Sequence, residues 1–246
     1  MRAGIAFVLI YLAFDRLATA LGSTRGEAGL VVCAVVVALA VLAERWLTRT
    51  PLRSCLSALG LGAPTTRALL AAVALAATLL VCLPLLATLT GVELALRANA
   101  AWLALGMLAQ GGIAEEMLFR GFMYRHLRHT RTFWRAATLS TVPFAAAHVP
   151  LLWSLELPIA LLALAMAIAW SFPLAWLFDR ARGSIWPGAI MHAVMQSAIK
   201  LLVDDDAAFQ SLAIAWVALG LAAPWLFFLL REPVSERAAA STLRRP

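Results

Sequence analysis

Residues 68–90 read ALLAAVALAATLLVCLPLLATLT, an uninterrupted run without a charged side chain. An α-helix needs roughly 20 apolar residues to cross the hydrocarbon core of a bilayer, and this run is long enough. The rest of the chain has a similar composition, because 63% of the 246 residues are apolar and only 13% are charged. A soluble globular domain carries about 25% charged residues. The sequence therefore predicts a membrane protein.

Eight apolar runs of this kind predict eight membrane-spanning helices. We place them at about 3–21, 28–43, 68–90, 99–118, 134–155, 157–178, 185–202 and 209–230. The predicted fold class is all-α, a polytopic transmembrane helix bundle of about eight spans. We expect residues 1–230 to form a single domain, and the polar, Ala-rich residues 231–246 to form a disordered cytoplasmic tail.

Positive charge is concentrated in every second loop. Cytoplasmic loops of membrane proteins carry an excess of Lys and Arg, so we expect both termini to be cytoplasmic. This pattern accounts for the net charge of +7 without a nucleic-acid partner. The Ala- and Arg-rich composition is typical of a GC-rich bacterial genome, which suggests the bacterial inner membrane. The basic loops contain Arg45, Arg49, Arg53 and Arg67, then Arg120, Arg125, Arg128, Arg131 and Arg135, then Arg180 and Arg182, and finally Arg231, Arg237, Arg244 and Arg245.

The first span has a second interpretation, a cleaved signal peptide. It begins with a basic residue and contains Ala18-Thr19-Ala20, which resembles a cleavage site. Asp15 and Arg16 interrupt its apolar region, so we favour a retained helix. The three cysteines show no CxxC spacing and indicate neither a disulfide framework nor a zinc knuckle.

Ionisable side chains occur inside three of the predicted spans. Such a group costs several kcal/mol in lipid unless it is paired or hydrated, so each is a functional candidate. An ordinary explanation exists for each alone, such as a charge cluster at a helix end or a histidine that donates a structural hydrogen bond. Together they are harder to explain in that way. The candidates are Glu115, Glu116 and Arg120 in the fourth span, Phe144 and His148 in the fifth, and His192 and Gln196 in the seventh.

Helix geometry separates the two adjacent glutamates. Residues four apart lie on the same face of a helix, so Glu116 and Arg120 are expected to form an ion pair. Glu115 lies about 100° away around the helix. It is therefore available to face a cavity and act as a general base.

The depth of His148 conflicts with this arrangement. Glu115 is expected near the cytoplasmic end of its span, whereas a straight fifth helix puts His148 on the order of 20 Å from the cytoplasmic face. A kink at Pro143 or a later start of the fifth span would reconcile the two positions.

In this order the residues resemble the CPBP family of glutamic intramembrane peptidases. That family has the motifs EExxxR, FxxxH and HxxxN, and it includes CAAX prenyl endopeptidases and abortive-infection proteins. Here the motifs run from Glu115-Glu116 to Arg120, from Phe144 to His148 and from His192 to Gln196. The resemblance covers about residues 95–202 and implies that residues 1–230 form a transmembrane peptidase domain.

The resemblance also implies a role for each residue. Glu115 and His148 would activate a water molecule, His192 and the residue at 196 would stabilise the oxyanion, and Glu116 and Arg120 would support the site. The family usually has Asn where this chain has Gln196. The longer side chain moves the amide by about a bond length, and an oxyanion donor must lie within about 2.7–3.1 Å.

The resemblance implies a membrane-associated protein or peptide as substrate and no cofactor. The substrate class and the oligomeric state are not readable from the sequence; CAAX-like processing and removal of C-terminal sorting signals are both compatible. Two alternatives remain open. One is a zinc peptidase with His148, His192 and a glutamate as ligands, although no HExxH helix is present. The other is a transporter, scaffold or immunity protein with a buried polar gate.

Overall fold

The computed structural model describes residues 2–21, 26–154, 156–203 and 207–230. The fifth helix, α5, is a continuous run of four segments, Ala100–Met107, Leu108–Ala114, Met117–Tyr124 and Arg125–Arg128. Short helical pieces follow other helices at Leu151–Ser154, Ile199–Leu201 and Ala223–Leu229. The remaining helices are α1 (Arg2–Ala20), α2 (Glu27–Thr48), α3 (Leu52–Leu56, continued by Ser57–Leu61), α4 (Thr66–Thr90), α6 (Phe133–Ala146), α7 (Leu157–Arg180), α8 (Trp186–Ser197) and α9 (Ala207–Ala222).

The all-α prediction is confirmed for the described residues. They contain no β-strand, only an isolated antiparallel bridge between Leu96 and Leu202. Six helical stretches are long and apolar enough to cross a membrane: α1, α2, α4, α7, Phe133–Ser154 and Phe209–Leu229. With α5 and α8, they correspond to the eight predicted spans. The predicted tail, with its four arginines, and Asp204, Asp205 and Asp206 lie outside the described residues.

Two spans differ from the prediction in length. The seventh, α8, has only 12 residues. The fourth does not end near residue 118, because α5 continues to Arg128. Phe119, Phe122 and Tyr124 are at most 2% exposed, so this continuation is packed inside the protein. The expectation that Glu115 lies near the end of its helix is therefore wrong.

The longer α5 removes the conflict over the depth of His148. Glu115 lies 13 residues before the end of α5 at Arg128, and His148 lies 15 residues after the start of α6 at Phe133. At 1.5 Å per residue, both distances are about 20 Å from the loop that joins the two helices. The two side chains are therefore at a similar level in the bundle.

Successive long helices run in alternating directions, so the bundle has two ends. We call the end formed by residues 49–65, 129–132 and 181–185 the basic end. An ion pair of 2.6 Å joins Arg125 of α5 to the buried Glu44 of α2 there. The Thr65 hydroxyl donates to the carbonyl of Arg180 at 2.9 Å. The bridge between Leu96 and Leu202 belongs to the opposite end.

Helices α5 and α8 occupy the centre of the bundle. α5 packs against α1, α2, α3, α6, α7 and α8, and α8 packs against α4, α5 and α7. Glycines allow the closest approaches: a Cβ on Gly112 of α5 would lie 2.9 Å from the carbonyl oxygen of Ala189 in α8. α8 begins inside the protein, because the amide of Ile185 donates to the carbonyl of Gly60 at 2.9 Å.

Candidate active site

Glu115 and Glu116 lie at the middle of α5, between two segments with π-helical hydrogen bonding, Leu108–Ala114 and Met117–Tyr124. π-helical turns are rare and occur frequently at functional sites. They shift side chains relative to a regular α-helix, and the sequence analysis did not predict them. The two glutamates nevertheless face different neighbours, as the i, i+4 spacing predicted.

Glu116 is the centre of a buried polar cluster. Its Oε1 accepts from Nη1 of Arg120 at 2.9 Å, which confirms the predicted ion pair. The same oxygen lies 2.9 Å from Nδ1 of His192 on α8. Glu116 is 1% exposed and Arg120 is 3% exposed. A Cβ on Gly188 would lie 2.9 Å from Oε2 of Glu116, so a glycine there admits the carboxylate between the two helices.

The contact with Glu116 determines which atom of His192 faces the cavity. Because a carboxylate only accepts hydrogen bonds, Nδ1 of His192 must be the donor. Nε2 is then the nitrogen on the cavity side, 3.7 Å from Oε2 of Glu115. Glu116 therefore orients His192 in addition to pairing with Arg120, as carboxylates next to functional histidines commonly do.

His148 lies just beyond the end of α6, where Pro143 and Pro150 bracket a turn of the chain. Its Nδ1 donates to the carbonyl of Phe144 at 2.8 Å. In the neutral ring this leaves Nε2 with the lone pair. Among the described residues, no hydrogen bond or ion pair joins His148 to Glu115. Both side chains line the same cavity.

Phe144 lies against three of the candidate residues, Arg120, His148 and His192. Its ring centroid lies 4.7 Å from that of Phe119 and 4.9 Å from that of His148. The guanidinium carbon of Arg120 lies 4.5 Å from the ring centre, within the range of a cation–π interaction. This contact complements the ion pair, because Nη2 of Arg120 has no hydrogen-bond partner in the described part of the chain.

Gln196 lies one turn beyond His192 on α8, and its side chain packs against α5. A Cβ on Gly111 would overlap the amide oxygen of Gln196. The longer side chain is therefore accommodated by a glycine on the facing helix. No hydrogen bond to this amide is formed within the described residues, so its donor group remains available for a ligand.

The four predicted catalytic residues, Glu115, His148, His192 and Gln196, all line one cavity of about 520 Å³. Phe144 also lines it, whereas the supporting pair of Glu116 and Arg120 lies behind its wall. The sequence analysis missed several lining residues. Gln110 could have been identified from the sequence, because it is a polar residue in an apolar span. No feature of the sequence marks Tyr11 or Trp170 as lining residues. The lining residues that were not predicted include Tyr11, Asp15, Gln110, Trp170 and Lys200.

The zinc alternative required His148, His192 and a glutamate to converge. Within residues 2–21, 26–154, 156–203 and 207–230, no group of three or more His, Cys, Asp or Glu side chains is placed to hold a metal ion. Glu115 and Glu116 both lie near His192, whereas no ion pair joins either glutamate to His148 in the part of the chain that the structure describes.

Residues 97–198 match the model of a protein family described as Type II CAAX prenyl endopeptidase Rce1-like. The matched segment is less than half of the chain, and it contains all three motifs. This match confirms the family resemblance that the motifs predicted. A comparison with curated proteins finds no match.

Proposed function

We propose that this chain, which is similar to the Rce1-like family over residues 97–198, is an intramembrane endopeptidase. The observation that supports this most is the shared cavity. Glu115, His148, His192 and Gln196 come from α5, the turn after α6, and α8, yet all four line one space inside a bundle of apolar helices. A titratable cluster in a concave site is a reasonable candidate for catalysis.

In the proposed reaction, Glu115 and His148 activate a water molecule between them. The carboxylate or the Nε2 lone pair of His148 takes a proton from the water as its oxygen attacks the peptide carbonyl carbon. The C–N bond then breaks, and the departing nitrogen receives that proton. The products are a new carboxyl terminus and a new amino terminus, so one water is consumed for each bond cleaved.

His192 and Gln196 would stabilise the negative charge that develops on the carbonyl oxygen. When Nε2 of His192 carries a proton, it is a donor on the cavity side, because Nδ1 is held by Glu116. The amide of Gln196 is a second donor on the same face of α8. Donors fixed before the reaction stabilise the transition state more than the substrate, which is the purpose of such an arrangement.

The proposal extends to the setting of the enzyme. Residues 1–230 would form one peptidase domain in the bacterial inner membrane, with both termini in the cytoplasm. The substrate would be a membrane-associated protein or peptide, cleaved in a CAAX-like reaction or by removal of a C-terminal sorting signal.

We expect Glu115→Gln and His148→Ala each to lower kcat by about 10²–10⁴-fold, the range for loss of a general base. Neither change should prevent membrane insertion, because Glu115 meets His192 only at 3.7 Å and the ring of His148 is hydrogen-bonded to the backbone of its own segment. The measurement is a comparison of membrane proteomes from cells with wild-type or variant enzyme, in which an uncleaved substrate should accumulate.

The control is Glu93→Gln, which removes a carboxylate from an exposed position outside the cavity. It should leave processing unchanged. If both Glu115→Gln and His148→Ala still process the same protein at the wild-type rate, the peptidase assignment is wrong. Solute transport by the purified chain without cleavage would support a gated transporter instead.

A further inference from the structure

Buried residues back the cavity on the side of the basic end. Glu116 and Arg120 lie directly behind its wall and are at most 3% exposed. Further along α5, the hydroxyl of Tyr124 donates to Asp179 of α7 at 3.0 Å, and Nε of Arg128 donates to the same oxygen at 3.0 Å. Tyr124 is fully buried. The contact between Tyr124 and Asp179 therefore joins α5 to α7 on the side of the cavity that faces the basic end.

The cavity opens toward the opposite end. Glu115 and His192 are 9% and 8% exposed, whereas three other lining residues, Thr19, Pro150 and Lys200, are exposed. Lys200 lies eight residues beyond His192, which corresponds to about 12 Å of helix toward that end. Exposure thus increases along the wall in one direction only.

The helix directions agree on the position of this opening. α1 and α8 both run from the basic end to the opposite end, and their lining residues continue to Thr19 and Lys200 near the ends of their runs. α6 also ends at the opposite end, and the turn after it contributes Pro150. We call the opening formed by Thr19, Pro150 and Lys200 the mouth.

The walls indicate what could enter. Phe14, Leu151, Met166 and Met195 make most of the lining apolar between the mouth and the catalytic cluster. Asp15 and Lys200 add one charge of each sign near the mouth. A space of about 520 Å³ suits a short extended peptide segment with small or apolar side chains. The backbone N–H and C=O groups of such a segment would find hydrogen-bond partners among the polar residues at the inner end of the cavity.

From these observations we infer that substrates enter from the extracytoplasmic side of the membrane. The inference rests on the proposed function and on the charge pattern. Since basic loops face the cytoplasm, the basic end is cytoplasmic and the mouth faces the other side. The substrate class is then the apolar, extended segment of an exported or membrane-anchored protein near the outer surface of the bilayer, not a cytoplasmic C-terminus.

The test is thiol labelling of intact cells with a membrane-impermeant maleimide. Single cysteines are introduced as Thr19→Cys and Lys200→Cys at the mouth, and as Thr130→Cys, an exposed position at the basic end. These substitutions are made in a parent protein whose three native cysteines are replaced by Ala. If that parent does not fold, they are made in the wild type, and the labelling above the wild-type level is measured. The wild-type level should be low, because Cys55 is buried and Cys33 and Cys82 are half-buried.

We expect both mouth cysteines to react in intact cells at least ten times faster than Thr130→Cys, which should react only after permeabilisation. A bulky maleimide on Thr19→Cys should also cause accumulation of the uncleaved protein that accumulates with Glu115→Gln. Reaction of Thr130→Cys alone in intact cells would overturn the inference and leave the proposed function standing. Absence of any accumulated protein with Glu115→Gln would overturn the proposed function, whatever the labelling pattern.

Discussion

At the scale of single residues, Glu116 has two functions where the sequence predicted one. Its Oε1 accepts from Arg120 on the same helix and from His192 on α8, each at 2.9 Å. The first contact compensates the charges of a buried pair. The second fixes the orientation of His192, so the residue assigned to support also orients the side chain that we propose as an oxyanion donor.

The two functions of Glu116 can be separated by substitution. Arg120→Met leaves the carboxylate buried without its guanidinium partner, which typically costs about 3–5 kcal/mol of unfolding free energy. The double variant Glu116→Gln with Arg120→Met removes both charges and should recover most of that loss. It should not recover activity, because the carboxylate that orients His192 is gone. Thermal unfolding in detergent and kcat measure the two effects.

Equal stability of the single and double variants would contradict the role of Glu116 as the partner of a buried charge. Wild-type kcat in the double variant would contradict its role in positioning His192. Glu93→Gln again serves as the control, since its side chain is exposed.

At the scale of helices, the contact between α5 and α8 determines whether the site is assembled. Gly111 and Gly112 of α5 and Gly188 of α8 face the other helix, and an added Cβ at each would meet its atoms. Only a residue without a side chain permits this separation. Because α8 carries His192 and Gln196, a small change in helix spacing displaces both donors.

Gly111→Ala should lower kcat by about 10²–10³-fold, the usual effect of losing one oxyanion donor, while KM changes little. The reason is that its Cβ would displace the amide of Gln196. Combining Gly111→Ala with Gln196→Asn should restore much of the activity, because Asn is one methylene shorter and leaves room for the new methyl group. Steady-state kinetics with the accumulated substrate provide the measurement.

The matched control is Gly4→Ala in α1, where an added Cβ would have no neighbour within 4 Å. It should be neutral in both stability and kcat. If Gln196→Asn fails to improve the Gly111→Ala variant at all, the amide of Gln196 is not the group that Gly111 accommodates for catalysis.

At the scale of the whole molecule, the site joins three separate parts of the chain. A metal ion bound by His148, His192 and a glutamate would crosslink α5, α8 and the turn after α6. Such a crosslink would raise the free energy of unfolding, so removal of the metal would lower the Tm. Zinc sites in peptidases need three protein ligands, and no group of three His, Cys, Asp or Glu side chains is placed for one within the described residues. We therefore expect a chelator to change neither the Tm nor the rate of cleavage.

Differential scanning fluorimetry and the cleavage assay with and without chelator provide the check. A lower Tm together with activity that returns on addition of zinc would establish the metallopeptidase alternative. The Glu115→Gln variant, treated in the same way, shows whether any effect of the chelator depends on the site.

Local rules predicted much of this molecule. Composition and run length predicted an all-α membrane protein, because crossing a bilayer sets a minimum length of apolar helix. The i, i+4 spacing predicted the pair of Glu116 and Arg120, because one helix turn fixes their separation regardless of the rest of the fold. The order of the three motifs predicted the family resemblance over residues 97–198. The end of α5 was predicted wrongly, since Arg120 looked like the edge of a span.

What only the tertiary structure decided was how distant segments meet. The contact of His192 with Glu116 spans 76 residues of sequence, and no periodicity encodes it. The glycine that accommodates Gln196, the common level of Glu115 and His148, and the direction in which the cavity opens all depend on the spacing between helices. Sequence periodicity reports the face of one helix; packing against other helices determines what that face touches.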